Sequence, residues 1–169
     1  MKNKSTNPPC LIHTENVGSV RFGSYKVKFM PLKVPSVLCC AAILQRPDGR
    51  VLLVQRPLHK SMGGMWEFPG GKVEPFETPQ ETIVRELFEE IDINLSIDDI
   101  EPFTFVSHTY EHFHLNMFAY LCKSWTGEVT LKEGQPDCVW VLPHDLENYL
   151  VPSADEPIIK RLMSELSNG

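Results

Sequence analysis

The stretch TPQETIVRELFEEIDI, residues 78–93, decides the fold. It opens as a helix opens. Thr78 is a good N-cap, Pro79 suits the first helical position, and Glu81 completes a capping box by reaching back to the cap amide. Val84, Leu87, Phe88 and Ile91 recur at i, i+3, i+4 and i+7, which predicts one apolar stripe. Glu86, Glu89 and Glu90 then fall on the opposite side, with Arg85 as their basic neighbour. An acidic helix face is ordinarily a solvated one. Here Glu86 and Glu90 form a like-charge i,i+4 pair, which costs about a few tenths of a kcal/mol. The last turns of a helix also favour cations, and no lysine lies between Thr78 and Ile93. A divalent cation reverses that balance, because hard cations want clustered carboxylate oxygens. On the helix alone, a solvated face and a cation site both stand.

The surroundings add chemistry. WEFPGGK, residues 66–72, places Gly70 and Gly71 between a short strand near Trp66 to Phe68 and the helix. Consecutive glycines there permit unusual backbone angles and close approach to a ligand. Upstream, VLCCAAILQ (37–45) reads as a buried strand, RPDG (46–49) as a tight turn and RVLLVQR (50–56) as a second strand, together a hairpin. Downstream, 101–110 and 113–125 read as two long strands, 126–137 as a polar loop and 138–142 as a last strand. Ala154 to Leu166 is a C-terminal helix, with Ile158, Ile159, Leu162, Met163 and Leu166 at core-facing spacing.

Gly71, Glu77 after five residues, and Arg85-Glu86-Leu87-Phe88-Glu89-Glu90 after seven more resemble the signature box of the Nudix family. One box position departs: Asp92 stands where the family has Gly, and Asp tolerates a left-handed conformation at modest cost. The likeness runs from about Val37 to the C-terminal helix and is similar to the MutT-like branch. It includes Arg56, Trp66 to Lys72, the KEGQP run Lys132 to Pro136, and Pro152-Ser153-Ala154-Asp155-Glu156-Pro157. The resemblance implies an α/β fold, an α/β/α sandwich around a mixed β-sheet over residues 36–169. It also implies a pyrophosphohydrolase that splits a nucleoside triphosphate into a monophosphate and pyrophosphate.

By the same resemblance, Glu86, Glu89, Glu90, Glu133 and the carbonyl of Gly70 are expected to hold Mg²⁺, with Mn²⁺ as a substitute. Glu77 and Arg85 are expected to pair and orient helix and loop. Lys72 is expected to neutralise phosphate, and Glu86 is the candidate base. Arg56, Phe68 and Asp155 are expected near the base, with Met62 and Trp66 as weaker candidates and core packing as the alternative for Phe68 and Trp66. Asp155 stands where the MutT-like pattern has Asn. Asp also accepts from the N–H groups of a guanine edge, so 8-oxo-dGTP leads, with CTP-type and 2-hydroxy-adenine nucleotides as alternatives. Tyr110 is weakly reminiscent of diadenosine polyphosphate hydrolases. A non-catalytic Nudix module, reading nucleotides or DNA lesions, is the opposing class, and its usual mark is degraded box acids. Here they are intact.

Composition bounds the rest. The 169 residues suit one domain with a substantial core, and 42% apolar with 22% charged residues is an ordinary folded composition. A formal net charge of −6 argues against polymeric nucleic acid as partner, though not against a single nucleotide. Five cysteines without a CxxC, Cys39 and Cys40 adjacent, point to free thiols in a reducing compartment. The longest apolar run, VLCCAAIL, has 8 residues, too short to span a bilayer, so a cytoplasmic protein is expected; a monomer is the accompanying expectation. Residues 1–35 are polar and without sustained period, which predicts a loosely ordered extension, with a short strand at Tyr25, Val27 and Phe29 and a start at Met30 leaving a full domain. His108, His112 and His114 read as a polar strand end, with a zinc site as the lesser alternative.

Overall fold

The structure, a computed structural model, describes residues 19–22, 25–28 and 34–166. The chain divides into two compact units, Met1–Lys33 and Val34–Gly169. In the first, β1 (Ser19–Phe22) and β2 (Tyr25–Lys28) form an antiparallel hairpin with Ser19 opposite Lys28. The strand expected at Tyr25 and Val27 is β2. Phe29, Met30 and the other residues expected in a loose extension lie outside the described residues, apart from this hairpin and Val34–Pro35.

The second unit carries β3 (Ser36–Leu44), β4 (Val51–Gln55), β5 (Trp66–Glu67), β6 (Gly70–Lys72), α1 (Pro79–Ile91), β7 (Ile100–Thr109), β8 (His114–Cys122), β9 (Cys138–Val141) and α2 (Glu156–Leu166). One sheet has the order β6-β3-β8-β7, the other β5-β4-β9. β3 and β8 run parallel from Ser36 opposite His114 to Leu44 opposite Cys122, and the remaining pairs are antiparallel.

Strand alternation sorts the core into two layers. On one face, Cys40, Ala42 and Leu44 of β3 and Leu52 and Val54 of β4 meet Ile83, Leu87 and Ile91 of α1. On the other, Ala41 and Ile43 of β3 and Val51 and Leu53 of β4 meet Ile158, Ile159 and Leu162 of α2. Helix, mixed sheet and helix make the expected α/β/α sandwich. The runs in β3 and β4 are apolar at successive positions because both their faces are covered.

Four local expectations are corrected. The segments around RPDG do not form a full hairpin: β3 pairs with β6 and β8, and β4 meets it only at the turn, through the Gln45–Val51 bridge and the Arg46 amide donating to the Arg50 carbonyl at 2.9 Å, before leading the second sheet. The loop expected through Lys72 contains β6, paired to β3 with Gly71 opposite Cys40. The stripe of α1 is rotated from the expected one. Ile83, Leu87 and Ile91 are buried, Val84 is half-buried and Phe88 is 48% exposed, while Glu90 is only 7% exposed. The acids therefore do not share one solvated side. In α2, which starts at Glu156 rather than Ala154, Met163 is half-buried, and the side chain of Leu166 lies outside the described residues.

Thr78 and Glu81 close both arms of the capping box, and α1 ends on Asp92 at φ 60°, ψ 30°, the left-handed conformation for which the family uses Gly. Lys132 donates to the Asp92 carboxylate and lies over the Phe88 ring, 4.9 Å from its centroid. These contacts explain how an aromatic side chain sits at the surface of the helix. The rotated stripe gives a direct expectation. Leu87→Ala should destabilise the protein by about 2–5 kcal/mol, whereas Phe88→Ala should cost about 1 kcal/mol or less. Urea unfolding of both variants checks the difference.

Candidate active site

The site is organised around Arg85. Its Nε donates to Glu77 Oε1 at 2.8 Å and its Nη2 to Glu77 Oε2 at 3.0 Å, a bidentate pair between the loop and α1. Nη1 donates to Glu86 at 2.8 Å and to Glu89 at 3.1 Å, and Nη2 also reaches the Lys72 carbonyl at 3.2 Å. One guanidinium thus fastens β6, the loop and two of the three box acids. Glu77 is held further by Thr82 Oγ1 and by the Glu74 amide. The hydrogen bonds from Arg85, followed by those from Thr82 and Glu74, pull the Glu77 carboxyl down to about 2, against some opposing burial.

The two glycines are required by contact. At Gly71 a Cβ would lie 2.1 Å from Glu86 Oε1, so any side chain there displaces the carboxylate. Gly70 has φ +149°, and its Cβ would meet the Cys40 carbonyl at 2.2 Å. Its amide donates to Glu90 Oε2 at 3.1 Å. Glu90 is nonetheless buried, and burial pushes its carboxyl up to about 8, with Glu67 and Glu86 adding repulsion. Burial also raises Glu86 above its ordinary value, partly offset by Arg85.

These groups open into one cavity of about 910 Å³. It is lined by Gly70, Gly71, Lys72, Arg85, Glu86, Glu89, Glu90 and Glu133, and also by Arg56, Met62, Phe68 and Asp155. Residues distant in sequence are therefore brought to one space. Arg56 donates to the Glu67 carboxylate and, through Nε, to the Ser61 carbonyl at 2.9 Å. Asp155 is 5% exposed, and burial, then the charge of Glu67, raises its carboxyl well above the ordinary range, with Arg56 opposing. Its backbone carbonyl accepts from Ile158 and Ile159 at the start of α2. Phe68 is buried and serves both the core and the cavity wall. Glu133 has φ 49° and faces Lys60 at 3.9 Å.

Other singled-out residues go elsewhere. Trp66 packs edge-on against Tyr149, with ring centroids 5.4 Å apart, and is not part of the cavity wall. Tyr110 lines the cavity, but its hydroxyl accepts from the Ala154 amide at 3.2 Å. His114 lies between Ser107 and Thr109, His108 packs on Tyr110, and His112 is exposed beside Glu111. Three charged wall residues, Lys60, Glu67 and Glu74, carry no role in the sequence reading. β5 is only two residues long, so alternation does not carry past Glu67, and nothing local marks Lys60.

The donor set suits a hard divalent cation: oxygens only, four carboxylates and the Gly70 carbonyl, with Gly71 leaving room for Glu86 and a buried Glu90 whose charge is unfavourable without a cation. Among the described residues the acids are not drawn together as a preformed cluster of three ligands. Arg85 holds Glu86 and Glu89 instead.

Comparison with known proteins agrees with this geometry. Residues 40–161 match the model of the NUDIX domain family. An 8-oxo-dGTP diphosphatase of Haemophilus influenzae is 37% identical over 129 residues, covering 76% of this chain and 92% of that protein. A CTP pyrophosphohydrolase of Escherichia coli is 35% identical over 130 residues, covering 73% and 89%. A solved structure from work on MutT of Aliivibrio salmonicida and Vibrio cholerae superposes with a TM-score of 0.66 at 34% identity, over 77% of this chain and 98% of that one.

The buried acids fix a pH response in the absence of metal. Glu90 keeps its proton in the folded state up to about 8, whereas the unfolded chain releases it near the ordinary 4.5, so stability falls as pH rises between those values. Glu77 acts oppositely: its contribution is full above 4.5 and is lost as pH falls towards about 2. In EDTA the melting temperature should drop from pH 6 to pH 8, and Glu90→Gln should flatten that slope. Thermal melts across the interval measure it.

Proposed function

The chain belongs to the Nudix family, and from that premise we propose that it hydrolyses a nucleoside triphosphate, 8-oxo-dGTP foremost, to the nucleoside monophosphate and pyrophosphate. The observation that carries the proposal is the single cavity, where the box acids and Lys72 share one wall surface with Arg56, Phe68 and Asp155. Relatives that act on 8-oxo-dGTP and on CTP support a triphosphate substrate and leave the base to this chain's own residues.

In this reading Glu86, Glu89, Glu90, Glu133 and the Gly70 carbonyl hold Mg²⁺, or Mn²⁺ in its place. The cation supplies Lewis acidity and neutralises charge on the phosphate oxygens. Lys72 adds a fixed positive charge at the phosphates. Glu86 accepts the proton of the attacking water, a role favoured by the burial that raises its proton affinity. As the water oxygen bonds to phosphorus, the anhydride P–O bond breaks and its electrons leave with pyrophosphate. Arg85, held by Glu77, fixes Glu86 and Glu89 in place. Phe68 packs on the base, and Asp155, with Arg56 nearby, meets the N–H groups of a guanine-type edge. Acting as a monomer in the cytoplasm, with no polymeric nucleic acid or membrane as partner, such an enzyme would remove oxidised nucleotides before replication uses them. Among the described residues, no helix is long and apolar enough to cross a membrane.

The test is direct. With Mg²⁺, 8-oxo-dGTP should yield pyrophosphate rather than orthophosphate, EDTA should abolish turnover, and Glu89→Gln or Glu90→Gln should lose most activity while remaining folded. Competition among 8-oxo-dGTP, dGTP, CTP and 5-methyl-dCTP decides the base. Mg²⁺ should also raise the melting temperature, and less so in either Gln variant. Turnover near wild type in a Gln variant at saturating Mg²⁺ would remove the metal assignment.

A further inference from the structure

The cavity has a charge problem. Its walls carry Glu67, Glu74, Glu86, Glu89, Glu90, Glu133 and Asp155 against Arg56, Lys60, Lys72 and Arg85. Two of those cations are already engaged: Arg85 binds Glu77, Glu86 and Glu89, and Arg56 binds Glu67. A triphosphate brings further negative charge into this space. Beside Lys72, the remaining cation of the wall is Lys60, whose ammonium is only loosely paired, 3.9 Å from Glu133 Oε2.

The loop that carries Lys60 is built to hold it. Arg56 and Gly64 clamp its ends: Arg56 N donates to Met65 O at 2.9 Å and Gly64 N to Arg56 O at 3.0 Å. Inside, Lys60 N donates to Pro57 O and Gly63 N to Lys60 O, each at 3.0 Å. Two side chains brace it from outside, Arg56 Nε on Ser61 O and Gln55 Nε2 on Gly64 O, both at 2.9 Å. Gly63 is packed so closely that a Cβ would lie 2.5 Å from Leu58 O. A lysine on a free loop spends its charge in solvent, whereas this backbone fixes the root of Lys60 at the cavity. Lys60 therefore stands at the cavity wall beside Glu133.

We propose that Lys60 is a phosphate-positioning residue: when substrate arrives, its ammonium exchanges Glu133 for oxygens of the pyrophosphate portion of the triphosphate, which frees the Glu133 carboxylate for the metal. The inference rests on the function proposed above, in that it takes Glu133 as a ligand and pyrophosphate as the leaving group. A loose ion pair suits such an exchange, because half-exposed pairs of this length contribute little stability and cost little to break. The ammonium then holds the departing group in the orientation that hydrolysis needs, without touching the base.

Equilibrium binding of pyrophosphate and of dGMP, each with Mg²⁺, to wild type, Lys60→Gln and Lys60→Arg tests the proposal, alongside steady-state kinetics. Loss of one charge-assisted contact should weaken pyrophosphate binding about tenfold in Lys60→Gln. KM for the triphosphate should rise by a similar factor, with a smaller change in kcat, dGMP binding unchanged and most of the loss recovered in Lys60→Arg. Pyrophosphate affinity in Lys60→Gln close to wild type overturns the proposal. So does an equal loss for pyrophosphate and dGMP with a lowered melting temperature, which marks Lys60 as a structural residue. If wild type releases no pyrophosphate from any nucleoside triphosphate, the proposed function fails, and pyrophosphate binding still judges Lys60 by the same criteria.

Discussion

Everything at the site hangs on one guanidinium meeting more carboxylate than it can neutralise. Arg85 reaches Glu77, Glu86, Glu89 and the Lys72 carbonyl, so a single planar fork joins the strand, the loop and the helix. A lysine could not do this, because its ammonium lacks the fork that grips both oxygens of Glu77 while still reaching Glu86. Three acids against one base leaves negative charge over, and that surplus is the chemical content of the site. The bidentate grip on Glu77 and the single bonds to Glu86 and Glu89 also restrain these acids' rotamers.

Glu90 shows a second constraint. It occupies a position of α1 that faces inward with Ile83, Leu87 and Ile91, where an apolar residue would stabilise the fold. The Gly70 amide meets one oxygen, but burial still drives its proton affinity up. A carboxylate kept there costs the fold stability as pH rises from 4.5 towards 8, and in the function proposed above a bound cation would offset that cost. The two covered faces of the sheet supply the stability against which such a group can be tolerated.

Much of this was legible in sequence. Capping chemistry announced the start of α1, and the apolar run of β3 announced a buried strand. The spacing of Gly71, Glu77, Arg85 and the three glutamates picked out residues that meet around Arg85 or line one cavity. What failed did so for physical reasons. Phe88 was placed inside and Glu90 outside because an apolar ring is ordinarily buried and a carboxylate exposed. The rotation that reverses them depends on Lys132 and Gly70, neither of them on the helix. The hairpin was expected from a turn signal, yet β4 meets β3 only at that turn, and β3 pairs with β6 and β8. Lys60 and Glu67 could not be read because their meaning lies in partners from other elements: Glu133 for one, Arg56 for the other.

The end of α1 carries a departure with mechanical weight. Where the family has Gly, Asp92 adopts the left-handed turn and receives the ammonium of Lys132, the residue next to Glu133. The backbone runs alongside: Thr130 donates to the Ile91 carbonyl and Lys132 to that of Glu90. Helix end and loop are thereby laced into one cooperative unit, in which opening the last turn of the helix also releases the strap that follows Trp125. Glycine would leave the lacing to the backbone alone. With aspartate, part of the hold is ionic, so the unit loosens as salt screens it, and ionic strength becomes a tuning variable for how firmly this chain presents Glu133.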